Sequence, residues 1–270
     1  MLIWIVISYA GDYETRYSLR RAYNSQELDK LGIQRVFLLG KFKAFSQIKL
    51  NHIEDDVENE ARDFQDILQG NFFETYHHLT YKHVMGLKWI VENCHNIPYI
   101  MKMDDDIVIN LYEVLNNLKK TNINNSIAGK VMSSKKGTND ILEKTNITDN
   151  YPQFVSGWLY LTSYNVALKL MNQLKPHSTF FSLDDIFVTG ILREETNVEL
   201  VDLSSMFTFE YEYLKCCIEL GKQGVQCEFA IGPSNDDNQI QMQFKHYSDY
   251  CRQTKCRIRT KSEPFSKNCL

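Results

Sequence analysis

Ile97-Pro98-Tyr99-Ile100-Met101-Lys102-Met103-Asp104-Asp105-Asp106-Ile107-Val108-Ile109-Asn110 sets an apolar, strand-like run directly against three adjacent carboxylates. In an extended segment successive side chains point to opposite faces, which puts Asp104 and Asp106 on one side and Asp105 on the other. Two carboxylates brought together repel unless a cation lies between them, and hard oxygen donors suit Mg²⁺ or Mn²⁺. A metal held this way would in turn hold a diphosphate. The plain alternative is a solvated acidic turn between two strands. The apolar flanks weigh against it, because they set the charges at the edge of a core, where an unpaired charge is costly. An EF-hand calcium loop is excluded, since neither the glycine nor the closing Glu stands at the required offset.

The chain of 270 residues is 43% hydrophobic and 24% charged, enough to bury a large core in one sizeable domain or two fused ones. A net charge of -4 leaves no nucleic-acid footprint, and the basic run Lys255 to Lys261 reads as a solvated tail. Cysteines at 94, 216, 217, 227, 251, 256 and 269 show no zinc spacing; their crowding toward the C-terminus suggests disulfides in an oxidising compartment, with an odd one left over. Sequons at Asn124-Asn125-Ser126 and Asn146-Ile147-Thr148 fall in polar, loop-like sequence and permit glycosylation. The N-terminal run Met1 to Tyr9 is too short to span a bilayer and reads as a buried strand, so any membrane anchor must lie outside this sequence.

Working outward, the first strand ends near Ser8, and a turn at Gly11-Asp12 leads into a helix that carries Arg16 and Arg20 one turn apart, on one face, at the strand's C-terminal end where α/β sheets bind ligands. Gln34 to Gly40 is a second buried strand in a βαβ unit. Ile53, Val57, Ala61, Phe64 and Leu68 recur at helical intervals, and Tyr76, Leu79, His83, Leu87 and Ile90 repeat the pattern in a helix ending near Asn93. His77, His78 and His83 show no zincin order and read as structural or surface residues. Beyond the aspartates come a short helix (Leu111, Val114, Leu115, Leu118), a strand at Ile127 to Val131, a polar surface loop over 132–150 and an aromatic-rich strand from Tyr151 to Leu161. Trp158 and Tyr160 could stack on sugar faces or simply pack in the core. A helix on Tyr164, Ala167, Leu168 and Met171 follows, then a second that opens on Asp184-Asp185, and a late strand at Val198 to Asp202. Capping would explain one of those two acids but not both. The tail reads as irregular apart from Ile240 to Tyr247, which alternates like an edge strand.

Together these stretches resemble the β-1,3-galactosyltransferase and β-1,3-N-acetylglucosaminyltransferase family of inverting, UDP-sugar-dependent enzymes. The likeness runs from about residue 3 to 205: Arg16…Leu19-Arg20, then Glu60…Asp66-Ile67-Leu68…Asn71-Phe72…Tyr76…Leu79-Thr80…Lys82, then Cys94…Tyr99-Ile100-Met101-Lys102-Met103-Asp104-Asp105-Asp106, then Tyr151-Pro152…Gly157…Tyr160, and last Asp184-Asp185-Ile186…Gly190. Short acidic motifs arise by chance, but five blocks in order are specific. The chain departs from the family in having Ala22-Tyr23 for Thr-Trp and Asp184-Asp185-Ile186 for Glu-Asp-Val, which leaves activity in place and bears on acceptor preference. The resemblance implies an α/β, GT-A-type nucleotide-sugar-binding fold with a mixed, mostly parallel sheet flanked by helices. It implies a catalytic domain over 1–205 with a Cys-rich extension over 206–270 packed on it. It also implies a Golgi-lumenal placement on a single-pass type II anchor, absent here as in a fragment or trimmed chain.

Transfer of a sugar from UDP leaves extra negative charge on a diphosphate, which a Mn²⁺ or Mg²⁺ ion would neutralise. Asp106 and Asp104 are the expected metal ligands, with His246 as a candidate third, imidazole being compatible with Mn²⁺. Arg16, Arg20, Lys102, Asp104 and Asp105 are the expected donor contacts; Lys102 could instead pair with an acidic neighbour. By its position Asp185 is the expected general base, and the charge of Asp184 would raise the pKa of one of the pair. Asp184 and Trp158 are expected on the acceptor side. The leading expectation is a β-1,3 bond formed by transfer of a hexose, galactose first and N-acetylglucosamine second, to a glycan on a glycoprotein or glycolipid. The rivals are a catalytically silent sugar-binding relative, against which the retained aspartates speak, and a metal-dependent hydrolase, for which a second metal motif is wanting.

Overall fold

The computed structural model describes residues 1–42, 47–133, 151–174 and 182–260. Seven strands form one sheet in the order β3-β2-β1-β4-β7-β6-β8. They are β1 (Leu2–Ile7), β2 (Ile33–Lys41), β3 (Ile67–Phe73), β4 (Tyr99–Asp104), β6 (Ser126–Met132), β7 (Phe154–Ser163) and β8 (Glu199–Asp202). Only β7 runs against its neighbours, β4 and β6; the other adjacent pairs are parallel. The sheet is thus mixed and mostly parallel, as expected. Every residue of β1 is buried, because both faces are covered: Trp4 and Val6 point into one apolar cluster, Ile3, Ile5 and Ile7 into the other.

Local chemistry sets the element ends. Asp12 caps the helix Tyr13–Ala22 at the backbone N–H of Thr15, and Asn24 caps Ser25–Leu31, which closes on Gly32 at a φ of 68°. The helix Gln47–Phe64 stops at Gln65, whose φ is 52°, so Leu68 belongs to β3 and not to the helical pattern expected for it. The helix Leu79–Asn93 lies where its periodicity predicts. The expected loop over 132–150 and the second sequon lie outside the described residues beyond 133; Asn124 of the first sequon is exposed at the turn before β6.

The tail departs most from its sequence reading. Tyr211–Lys222 and Ile240–Thr254 are both helices, and the expected edge strand at 240–247 lies inside the second. Its alternation of apolar and polar side chains coexists with a 3–4 spacing of the buried Ile240, Phe244, Tyr247 and Cys251, and packing follows the latter. Cys217 and Cys227 stand at disulfide distance, as do Cys251 and Cys256. The strand Ile231–Pro233 pairs antiparallel with β5 (Ile107–Ile109), and the Gln241 amide donates to the Ile107 carbonyl at 2.7 Å. The tail is thereby fastened to the segment that leaves the aspartates. Among the described residues no helix is long and apolar enough to cross a membrane.

Candidate active site

Strand β4 ends at Asp104, and Asp105-Asp106 form a turn before β5, so the alternation expected of an extended segment stops one residue early. As a result all three aspartates line one cavity of about 350 Å³, which opens at the C-terminal ends of β1 and β4. Ser8, Tyr9, Glu74, Thr75, Tyr76, Lys82 and Asp184 line it as well. Buried charge dominates the chemistry. Burial pushes Asp105 up to about 6 against the hydrogen bond from Ser8, and it raises Asp106 as well. Asp104 is raised by burial, with the Lys102 charge opposing and Asp184 adding to the rise.

Lys102 is 1% exposed on β4, and its ammonium donates to Asp104 Oδ1 and to the Gly157 carbonyl, each at 2.6 Å, while Asp184 Oδ2 lies 3.7 Å away. Burial alone would lower its pKa; Asp104 and then Asp184 raise it instead. Of the two roles expected for Lys102, the structure shows the partnership with an acidic neighbour. Gly157 is held from both sides, since its N–H donates to Asp185 Oδ2 at 3.1 Å. A Cβ at Gly157 would stand 3.0 Å from Lys102 Nζ, 3.4 Å from Asp104 Oδ2 and 3.5 Å from Asp185 Oδ2. That close approach of three charged groups to one α-carbon is what the glycine permits.

The two carboxylates of the Asp184-Asp185 pair separate electrostatically. Burial would raise Asp184, but Lys102 and then the hydrogen bond from His83 outweigh it and hold the carboxyl well below the usual range. Asp185 is raised, first by burial and then by the charge of Asp184. His83 is fully buried on the helix Leu79–Asn93; its Nδ1 lies 2.8 Å from Asp184 Oδ2 and its Nε2 2.6 Å from the Tyr160 hydroxyl. Burial lowers the His83 pKa and raises that of Tyr160, so Nδ1–H donates to Asp184 and the Tyr160 hydroxyl donates to Nε2. Asp184 and Asp185 precede a π-helical stretch, Ile186–Leu192, and Thr189 Oγ1 in that stretch accepts from the Val155 N–H, which fastens it to β7.

Several expected site residues lie elsewhere. Arg16 is wholly buried, with its guanidinium on Glu60 at 2.6 and 2.8 Å and on Ser8 Oγ and the carbonyls of Tyr9 and Ala10. Arg20 bonds Glu60 and Asp66 through all three nitrogens and stacks on Phe37 and Phe64. Arg16 is corrected from donor contact to scaffold: its donors are all taken, and it braces the Ser8–Ala10 turn. Arg20 is likewise committed to the buried Glu60 and Asp66 and does not line the aspartate cavity. His246 is exposed on the helix Ile240–Thr254 and lines a different cavity, beside Tyr250 and Lys222, so it does not join Asp104 and Asp106 as a ligand. Trp158 lies half-buried next to Gly157, its ring edge-on to Phe209 at 4.8 Å, flanking the aspartate cavity without lining it. The link between His83 and Asp184, 101 residues apart, has no local signal that sequence reasoning could have found.

Among the described residues no three His, Cys, Asp or Glu side chains form a ready-made metal cage. The donor set nevertheless fits Mg²⁺ or Mn²⁺. These ions commonly take one or two protein carboxylates and complete their shell with water and substrate phosphates. Asp105 Oδ2 is buried without a hydrogen-bond partner, and the cavity carries more negative charge than its lysines offset.

A sequence model described as Galactosyltransferase matches residues 14–204. Human Beta-1,3-galactosyltransferase 2 is 28% identical over 221 residues, covering 78% of this chain and 51% of that protein. Human Beta-1,3-galactosyltransferase 5 is 29% identical over 238 residues, covering 84% and 74%. The chain thus spans about half the length of the first of these relatives. The crystal structure of the galactosyltransferase LgtC with donor and acceptor sugar analogues is 10% identical, covers 94% of this chain and 100% of that one, and has a TM-score of 0.47.

Proposed function

From the premise that the chain belongs to the galactosyltransferase family, we propose that it is a hexosyltransferase that moves galactose from UDP-galactose to a glycan hydroxyl on a glycoprotein or glycolipid, forming a β-1,3 bond with inversion. Lys102, Gly157, Asp104 and Asp185 carry this reading: the Gly157 carbonyl accepts from the Lys102 ammonium that also holds Asp104 of the cavity, and its N–H holds Asp185, a carboxylate suited to accept a proton.

In this mechanism the acceptor oxygen attacks the anomeric carbon as the bond from that carbon to the diphosphate breaks. The bonding pair leaves with the diphosphate, and the acceptor's proton passes to Asp185. Burial and the neighbouring charge raise the proton affinity of Asp185, which suits it to the task. Asp184, kept ionised by Lys102 and His83, cannot compete for that proton and is left to orient the acceptor. The Gly157 N–H fixes Asp185 Oδ2 and the Ile186 N–H meets Oδ1 at 3.2 Å, so the carboxylate is oriented by both bonds and keeps lone pairs for the proton. Asp104, Asp105 and Asp106 would hold Mn²⁺ or Mg²⁺, which when bound neutralises charge on the leaving diphosphate. A Golgi-lumenal setting is part of the same proposal, supported by the kinship with β-1,3-galactosyltransferases.

Incubation with a panel of UDP-sugars, Mn²⁺ and simple β-linked acceptors, followed by UDP release and by linkage analysis of the product, tests the reading. UDP-galactose is expected to give a β-1,3-linked product. Preference for UDP-N-acetylglucosamine would change the donor and keep the reaction, whereas no acceptor-dependent UDP release with any donor would overturn the proposal.

A further inference from the structure

Part of the lining of the aspartate cavity comes from a short, polar turn. Strand β3 ends at Phe73, Glu74 ties the turn down by accepting from the Gly40 N–H at 2.7 Å and from the Lys82 ammonium, and Tyr76 opens a single 3₁₀ turn, Tyr76–His78. Between them Thr75 Oγ1 is buried and has no hydrogen-bond partner among the described residues. Tyr76 is 58% exposed although it lines the cavity, so its ring contributes little to the core. Apart from burial, the charges of Asp185 and then Asp184 are what raise its hydroxyl's pKa. Tyr76 lines the same cavity as Asp184, the chain neighbour of the proton acceptor.

A flat, half-exposed ring beside an unpaired hydroxyl suits a ligand with one apolar face and a rim of hydroxyls. A pyranose has that form: its axial C–H bonds make the face and its hydroxyls the rim. Cavities of this kind bind through aromatic surface with a few placed polar groups. We propose that Tyr76 and Thr75 form the acceptor subsite. The acceptor pyranose stacks its C–H face on the Tyr76 ring, Thr75 Oγ1 takes one of its ring hydroxyls, and the neighbouring hydroxyl is presented to Asp185. This subsite rests on the hexosyl-transfer reading above, and it assigns to the β3 turn a role in acceptor choice.

The test compares Tyr76→Ala, Tyr76→Phe and Thr75→Val with the unaltered protein. Acceptor KM and kcat are measured with UDP-galactose, Mn²⁺ and a β-linked disaccharide, and UDP affinity is measured separately by calorimetry in Mn²⁺. Tyr76→Ala is expected to raise acceptor KM about tenfold, the loss of one aromatic contact, while UDP affinity stays unchanged. Tyr76→Phe, which keeps the ring, is expected to retain the normal KM, and Thr75→Val to raise it less than Tyr76→Ala does. An acceptor KM unmoved by Tyr76→Ala would overturn the subsite, and a parallel loss of UDP affinity would move Tyr76 to the donor side. Failure of the parent reading is seen independently: unaltered protein that binds UDP yet transfers to no acceptor overturns both before any variant is made.

Discussion

Two buried charge networks differ in their balance. Beneath the Ser8–Ala10 turn, Arg16, Arg20 and Arg35 share Glu60 and Asp66, three cations to two carboxylates, with aromatic rings over the guanidinium planes of Arg20 and Arg35. Across the cavity, Lys102 is in contact with Asp104 and Asp184, and Asp105, Asp106 and Asp185 add three more carboxylates close by. The first set is nearly neutral, which is how a fold carries buried charge as scaffold. The second holds an excess of negative charge, and a protein keeps such an excess where a cation or a proton is to be received.

The comparison fails if the two networks respond alike to mutation. Asp185→Asn should lower turnover by about 10²–10⁴-fold, the typical worth of a placed general base, with UDP affinity intact. Steady-state kinetics beside calorimetry would check it, and activity within a few-fold of normal would put the base elsewhere, with Asp184 next in line. Glu60→Ala should act oppositely. It strands Arg16 and Arg20 and should cost about 3–5 kcal/mol of stability in urea unfolding, while the folded fraction keeps its turnover. Asp106→Ala should abolish the Mn²⁺-dependent gain in UDP affinity with little change in Tm, because the residue reaches solvent at the cavity edge even though the cavity partly desolvates its carboxyl; unchanged calorimetry would remove its metal role.

The smallest effect is a dependence on pH. Burial would raise Glu60, but Arg16 and then Arg20 bring it below its ordinary value of 4.5. Its contribution is therefore complete above that value and is lost as the pH falls through the lower, folded-state value. The gap in urea midpoint between the unaltered protein and Glu60→Gln should shrink across that acid window. A gap that widens with acid would reverse the sign argued here.

What could be read in the sequence followed burial. Strands β1, β2 and β4 are apolar runs, and the sheet covers both of their faces, so pattern and environment coincide. Strand β3 lies at the sheet edge and is only partly buried, and Ile67-Leu68 could be mistaken for the last turn of the preceding helix. The common face of Arg16 and Arg20 was legible, but their partners lie 40 to 46 residues away, and only the fold reveals that the arginines are already occupied. The aspartates were legible as a group. That all three turn to one cavity depends on where β4 ends, a boundary that local sequence does not fix.

The reversed strand β7 has a consequence for how the site comes into being. Lys102 faces Tyr160 across the β4–β7 ladder, and the Lys102–Gly157 bond is possible only in that alignment. A slip of two residues would keep every side chain on its proper face, and would satisfy the sheet's hydrogen bonding, yet it would carry Gly157 about 7 Å from the ammonium. The alignment is thus a form of proofreading. A chain that has merely collapsed into the right layers has no working centre until one particular pairing of β4 with β7 is reached, and activity per molecule reports how many chains have reached it.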